Sequence, residues 1–118
     1  MADVTVKEFD ELDNSYQGAF LHAAKSLGVT SWGMNIERLP AGWADYPLHD
    51  HIGDGQEEVY VVLEGSVTLE AEGESWELKP GNLARVGPEP KRKITPGDEG
   101  ATLLVIGGTP GKAFEPKT

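Results

Sequence analysis

The chain has 118 residues, 38% of them hydrophobic, and no cysteine; it fits one domain held by packing, and disulfide, thiolate-nucleophile and thiolate-metal chemistry are excluded. Twenty acidic against ten basic side chains give a formal net charge of -10, a field that repels phosphate backbones and anionic lipid surfaces and argues against nucleic acid as a partner. Residues 1–9 lack the apolar centre of a secretory leader and no apolar run reaches the length of a membrane span, so the expectation is a cytoplasmic protein that does not engage membranes.

In chain order, residues 4–9 read as a short β-prone opening. Asp13, Asn14 and Ser15 then offer N-cap chemistry for a helix expected over residues 16–27, with Gly28 as its stop. Ala19, Phe20, Ala23, Ala24 and Leu27 give that stretch one apolar face, which predicts a helix lying outside a larger body. His22 within it reads as a packing or solvent-facing residue.

From Thr30 the punctuation changes. Segments rich in β-branched and apolar residues recur at 31–39, 47–52, 58–63, 67–71, 76–78, 83–86, 92–95 and 102–106, separated by Gly, Pro and Asp, a rhythm that predicts an all-β sandwich or barrel. Glu64-Gly65 and Glu72-Gly73 are expected to reverse the chain as hairpin turns, because glycine accepts the positive φ such turns demand. Pro80-Gly81 and Pro96-Gly97 are expected to be further turns. The organisation anticipated is one domain over 1–118: an N-terminal strand and helix over 1–28, a barrel over 29–107, and an irregular tail over 108–118.

The chemistry concentrates in one stretch. His49 and His51 are one residue apart, so an extended backbone puts both imidazoles on one side. Glu58 begins the next apolar run, and alternation places Glu58, Tyr60 and Val62 on one face with Val59, Val61 and Leu63 on the other. The intervening residues 52–57 make a loop able to fold that run back beside the histidines, so that two imidazoles and a carboxylate converge. Such an N,N,O set suits zinc, iron, manganese or nickel, and affinity rank does not choose among them. Alternation alone leaves open the opposite arrangement, in which Leu48 and Ile52 face the core and the histidines face water.

These residues resemble the cupins, small jelly-roll barrels whose first motif places H-x-H ahead of a glutamate and, six residues on, a glycine. Here it reads His49-Asp50-His51, Glu58, then Val59 to Glu64 and Gly65, and Pro80-Gly81-Asn82 resembles the opening of the second motif. The resemblance spans about residues 39–106. It implies an all-β jelly-roll barrel with one short N-terminal helix packed outside, a small-molecule pocket, and His49, His51 and Glu58 as metal ligands. The loop after His51 is longer than the family's by about two residues, which leaves Glu57 as a competitor to Glu58. Where metal-binding members supply a further histidine, this chain has Arg92, whose guanidinium keeps its charge and cannot coordinate a cation.

Two readings follow. In one, a divalent transition metal on His49, His51 and Glu58 keeps open positions for an oxygen-bearing substrate, and Arg92 orients a substrate carboxylate. In the other, no metal binds, and Arg92 and the histidines hold a small anionic metabolite in a non-catalytic binding module, or Arg92 pairs with Glu58. Tyr60 is divided between ligand contact and core, Trp32 and Trp43 are candidates for either, and Met34 reads as core. Both faces of residues 58–63 are apolar after Glu58, so the N-terminal helix or a second subunit must cover the outer one; family resemblance points to a homodimer.

Overall fold

The structure is a computed structural model that describes residues 2–113. A 3-10 turn at Phe9–Glu11 precedes β1 (Asn14–Ser15), β2 (Phe20–Leu21), α1 (Ala23–Leu27), β3 (Gly33–Leu39), β4 (Glu57–Ala71), β5 (Glu74–Leu78), β6 (Leu83–Val86) and β7 (Arg92–Gly108). All strand pairs are antiparallel, in the order β1-β2-β3-β7-β4-β5, with β6 also pairing with β4. The backbone of the fold is the pairing of β4 with β7, which runs from Glu57 opposite Gly108 to Ala71 opposite Arg92. On its far edge β4 pairs with β6 through 58–61 and with β5 through 67–71, while β7 pairs with β3 through 101–107.

The sheet rolls around one core. Leu39 of β3, Tyr60, Val62, Val67 and Leu69 of β4, Leu78 of β5, Val86 of β6, and Ile94, Leu103 and Val105 of β7 form a single buried cluster, which Tyr46 joins from the loop after β3. This is the jelly-roll architecture the sequence predicts, although the hydrogen-bonded sheet does not close into a cylinder. A second, smaller cluster lies on the outside, where Leu12, Leu21 and Ala23 cover Ile36, with Met34 and Leu104 packed against it. The N-terminal segment and α1 thus cover the β3 end of the outer face. Farther along that face Val59 and Val61 are only partly buried, and Leu63 and Leu83 are exposed. Among the described residues no helix is long and apolar enough to cross a membrane.

Several local expectations give way. The helix expected over 16–27 is confined to Ala23–Leu27, because Tyr16 and Gln17 adopt left-handed φ values of 52° and 56° and turn the chain into the β1–β2 hairpin. Residues 4–9 form no strand, and 47–52 carry a single bridge between His49 and Arg92 rather than a regular strand. Glu64-Gly65 does not reverse the chain: β4 continues through it with register shifts either side, and Pro96-Gly97 likewise lies inside β7. Two long neighbours that bend together keep their hydrogen bonds, whereas two hairpins would surrender them. Glu72-Gly73 does turn β4 into β5, and Pro80-Gly81 turns the chain between β5 and β6. The tail beyond Ala113 lies outside the described residues.

Gly65 carries the bend. Its φ is 75°, and a Cβ there would sit 2.1 Å from the Gly100 carbonyl oxygen of β7, a contact that backbone cannot relieve cheaply. Gly65→Ala is expected to lose on the order of 2 kcal/mol or more of unfolding free energy in a urea titration, and a loss within about 0.5 kcal/mol would show that the bend tolerates a side chain.

Candidate metal centre

Glu58 reaches the interior because β4 alternates: Tyr60 and Val62 share its side, while Glu57 turns outward and pairs with Arg85 at 2.8 Å. The competition between the two glutamates is thereby settled for Glu58. Opposite Glu58 on β7 stands Gly107, where a Cβ would lie 3.4 Å from Glu58 Cγ and 2.6 Å from Gln56 Oε1. Glycine there leaves the carboxylate its room.

The histidines arrive on the loop, tied down by backbone. His49 exchanges hydrogen bonds with Arg92 in both directions at 3.1 and 2.8 Å, and the His51 amide donates to the Pro88 carbonyl at 2.9 Å. The ring centroids are 5.1 Å apart, nearly perpendicular. His49 Nδ1 bonds the Pro47 carbonyl at 3.0 Å, and His51 Nδ1 bonds the Asp54 carboxylate at 3.1 Å. Both partners are acceptors, so each Nδ1 carries the proton, and in the neutral ring each Nε2 is left as a lone pair. Those two Nε2 atoms lie 3.8 and 3.4 Å from the same oxygen, Glu58 Oε1.

His49, His51 and Glu58 are positioned for a metal ion, with one ligand atom from each falling within 4.8 Å of the others. The donor set fits a cation on a second ground. Among the described residues His51 Nε2 is buried without a hydrogen-bond partner, 3.4 Å from Glu58 Oε1, and a cation between an inward lone pair and a carboxylate would satisfy both. The Asp54–His51 contact has the geometry of a carboxylate that orients a ligating imidazole. Asp54 and the Pro47 carbonyl were invisible as orienting groups in the sequence; the three-residue spacing from His51 to Asp54 was the only signal available.

Arg92 and Tyr60 both point inward, both are fully buried, and both converge on Glu58. The Tyr60 hydroxyl donates to Glu58 Oε1 at 2.7 Å and Arg92 NH1 approaches the same oxygen at 3.4 Å. Arg92 NH2 donates to the Gly87 carbonyl, and among the described residues its Nε has no partner. Burial alone would raise the Glu58 pKa, but the facing His49 and His51 rings and the Tyr60 hydroxyl outweigh it and hold the carboxyl well below the usual range. The same carboxylate, against the opposing effect of burial and with help from Asp54, raises the His51 pKa. Burial raises the Tyr60 pKa far above its ordinary value, so it stays a neutral donor.

Two further residues join the interior from elsewhere in the chain. Glu37 of β3 is 4% exposed and accepts a hydrogen bond from the Tyr46 hydroxyl at 3.1 Å, and the Tyr46 ring lies 6.3 Å from the His49 ring. Phe20, Trp43 and Tyr16 extend this aromatic contact outward to the surface. Met34 belongs to the outer cluster, Trp32 is exposed, and His22 bonds Ser15 Oγ at 3.1 Å outside the barrel. A pocket of about 450 Å³ opens between β5 and β6, lined by Leu69, Trp76, Leu78, Ala84 and Val86, and reaches Gly87, whose carbonyl holds Arg92.

Comparison with known proteins agrees with this architecture. No curated protein matches the sequence. A cupin protein from Bacteroides fragilis is 28% identical, with a TM-score of 0.69 over 96% of this chain and 93% of that one. A sugar phosphate isomerase of the cupin superfamily from Silicibacter pomeroyi is 20% identical, with a TM-score of 0.70 over 97% of this chain and 83% of that one, a likeness of fold. The family model described as a cupin domain matches residues 35–107, which include all three candidate ligands, and with H-x-H, glutamate and glycine in the family's order the chain belongs to the cupin domain family.

Proposed function

We propose that the protein binds a small oxygen-bearing molecule at a divalent transition metal ion held by His49, His51 and Glu58. The observation that carries this reading is the direction of the two rings, each with Nδ1 spent on an acceptor and Nε2 aimed at one carboxylate oxygen. Lone pairs and a carboxylate facing one another repel unless a proton or a cation lies among them, and one metal ion satisfies both rings and the carboxylate at once. Zinc, iron, manganese and nickel all suit the set. Bound there, the ion supplies Lewis acidity to an oxygen of the ligand.

The remaining residues prepare that position. Tyr60 and Arg92 hold Glu58 by one oxygen and so fix the plane of the carboxylate. Arg92 cancels the Glu58 charge, so with neutral imidazoles a divalent ion leaves the centre positive, which favours an anionic ligand oxygen. Asp54 fixes the His51 ring and its tautomer.

A second reading is favoured by Arg92 itself. Its guanidinium already sits against Glu58 and its buried Nε is unpartnered, so Arg92 and a protonated His51 would hold a small anionic metabolite with no metal. Metal content separates the two. Protein purified without chelators or a nickel column is expected to retain about one transition metal ion per chain, and a small fraction of that would leave the metal-free reading. His51→Ala is expected to abolish retention with the far-ultraviolet circular dichroism unchanged. Asp54→Asn, which keeps the shape but loses the charge, should weaken metal affinity by about 10- to 100-fold in a competition titration, and unchanged affinity would deny Asp54 its orienting role.

The outer face of the sheet supports a homodimer. Cross-strand rows Leu104–Val61–Leu83 and Ile106–Val59 continue past the cover given by the N-terminal segment, with Leu83 74% exposed. Sedimentation is expected to give twice the chain mass at micromolar concentration and Leu83→Glu to give one; a wild type that sediments as a single chain would remove the proposal.

A further inference from the structure

Glu37 is the second carboxyl of the interior and belongs to no ligand set described above. It stands in a cross-strand row with Leu103 and Val62, both buried, and Leu39 follows it on the same face of β3. Folding gains nothing from a carboxyl in such a row, since an apolar side chain would fill the space without the desolvation cost. Its position points elsewhere. The Tyr46 hydroxyl donates to it at 3.1 Å, the Tyr46 ring lies 6.3 Å from the His49 ring, and His49 Nε2 is 3.8 Å from Glu58 Oε1, so a chain of contacts leads from Glu37 to the candidate ligands.

Desolvation raises the Glu37 pKa to about 8, partly opposed by Tyr46 and reinforced by the like charge of Glu58. The titratable groups facing it are Tyr46 from the loop after β3 and Glu58 and Tyr60 from β4. A carboxyl buried on β3 with a single hydroxyl donor keeps its proton more readily than a solvated one, which marks Glu37 as a group able to carry a proton.

We propose that Glu37 is the proton-exchanging residue of this centre: it holds its proton while the His49–His51–Glu58 site lacks a cation and releases it when a divalent cation binds there. As a carboxylate it then takes a proton from the bound molecule. The inference rests on the metal reading above. Burial keeps the Glu37 proton on and the Glu58 charge adds to that effect; a divalent ion beside Glu58 reverses the sign of the added field, and charges interact strongly across a barrel interior. In the exchange an O–H or acidic C–H bond of the ligand breaks, its electron pair stays on the ligand, where the centre's positive charge stabilises it, and a new O–H bond forms on Glu37. The class that fits is a small hydroxycarbonyl or oxo acid, with one oxygen for the centre and an acidic hydrogen beside it.

Zinc alone is the probe. Proton release on adding zinc, read with a pH indicator in weak buffer at neutral pH, is expected to be larger in the wild type than in Glu37→Gln by about one proton per ion bound. His51 contributes alike in both proteins and cancels. Equal release with zinc bound in both would overturn the inference while leaving the metal reading intact; failure of the wild type to bind zinc at all would overturn both. Infrared spectra of the wild type give a check that needs no variant: the band of a protonated carboxyl should vanish on zinc addition, and its persistence would show Glu37 to be merely structural. The metal-free protein offers a third reading. Stability gained from the raised carboxyl is full below the ordinary value of 4.5 and fades as pH climbs toward about 8, so Glu37→Gln should lack that decline. An identical decline in both proteins would count against Glu37 as the proton carrier.

Discussion

One carboxylate oxygen organises the interior. Glu58 Oε1 accepts from Tyr60, lies against the buried Arg92 guanidinium, and is faced by the Nε2 atoms of His49 and His51. Those partners come from three stretches of the chain, β4, β7 and the loop before β4, and backbone pairing brings the stretches together. Tyr60 is two residues along β4; Arg92 starts β7, at the far end of the same long pairing; the histidine loop is bridged to β7 at Arg92 itself. A shift of one residue in the β4–β7 register would turn Glu58 outward and dissolve the cluster.

The charges explain why this cluster needs something more. Burying Arg92 completely is tolerable because Glu58 meets it, and burying Glu58 is tolerable because the Tyr60 hydroxyl and the Arg92 guanidinium meet it in turn. Those pairings leave the two Nε2 lone pairs and the Arg92 Nε over. Leftover polarity that points at one place is what a binding centre requires and what a purely structural core avoids. Glu37 follows the same logic from β3, as a carboxyl kept neutral by burial and within electrostatic reach of Glu58.

Much of this was legible in the residues. The one-residue spacing of His49 and His51 and the alternation from Glu58 showed which side chains share a side, because an extended backbone has only two faces; the resemblance to the cupins, not the alternation, turned that side inward. Other features were not. Gly65 looks like a turn residue and is a bend inside a continuous strand, a distinction set by the partner strand β7 and not by local preference. Tyr16 and Gln17 disguise a hairpin as a helix start, since neither favours the left-handed conformation both adopt. Glu37 and Tyr46 carry no motif: residues 34–39 alternate without one clearly apolar face, so nothing local marks Glu37 as buried.

The central claim is that a cation belongs among two imidazole nitrogens and one carboxylate. Crystals of protein prepared without chelators, measured on both sides of the absorption edges of zinc, iron, manganese and nickel, test it most directly. The account predicts an anomalous peak bonded to His49 Nε2, His51 Nε2 and Glu58, with Arg92 still against the carboxylate. Density that shows no such peak, with the two rings turned from Glu58 toward solvent, would contradict it.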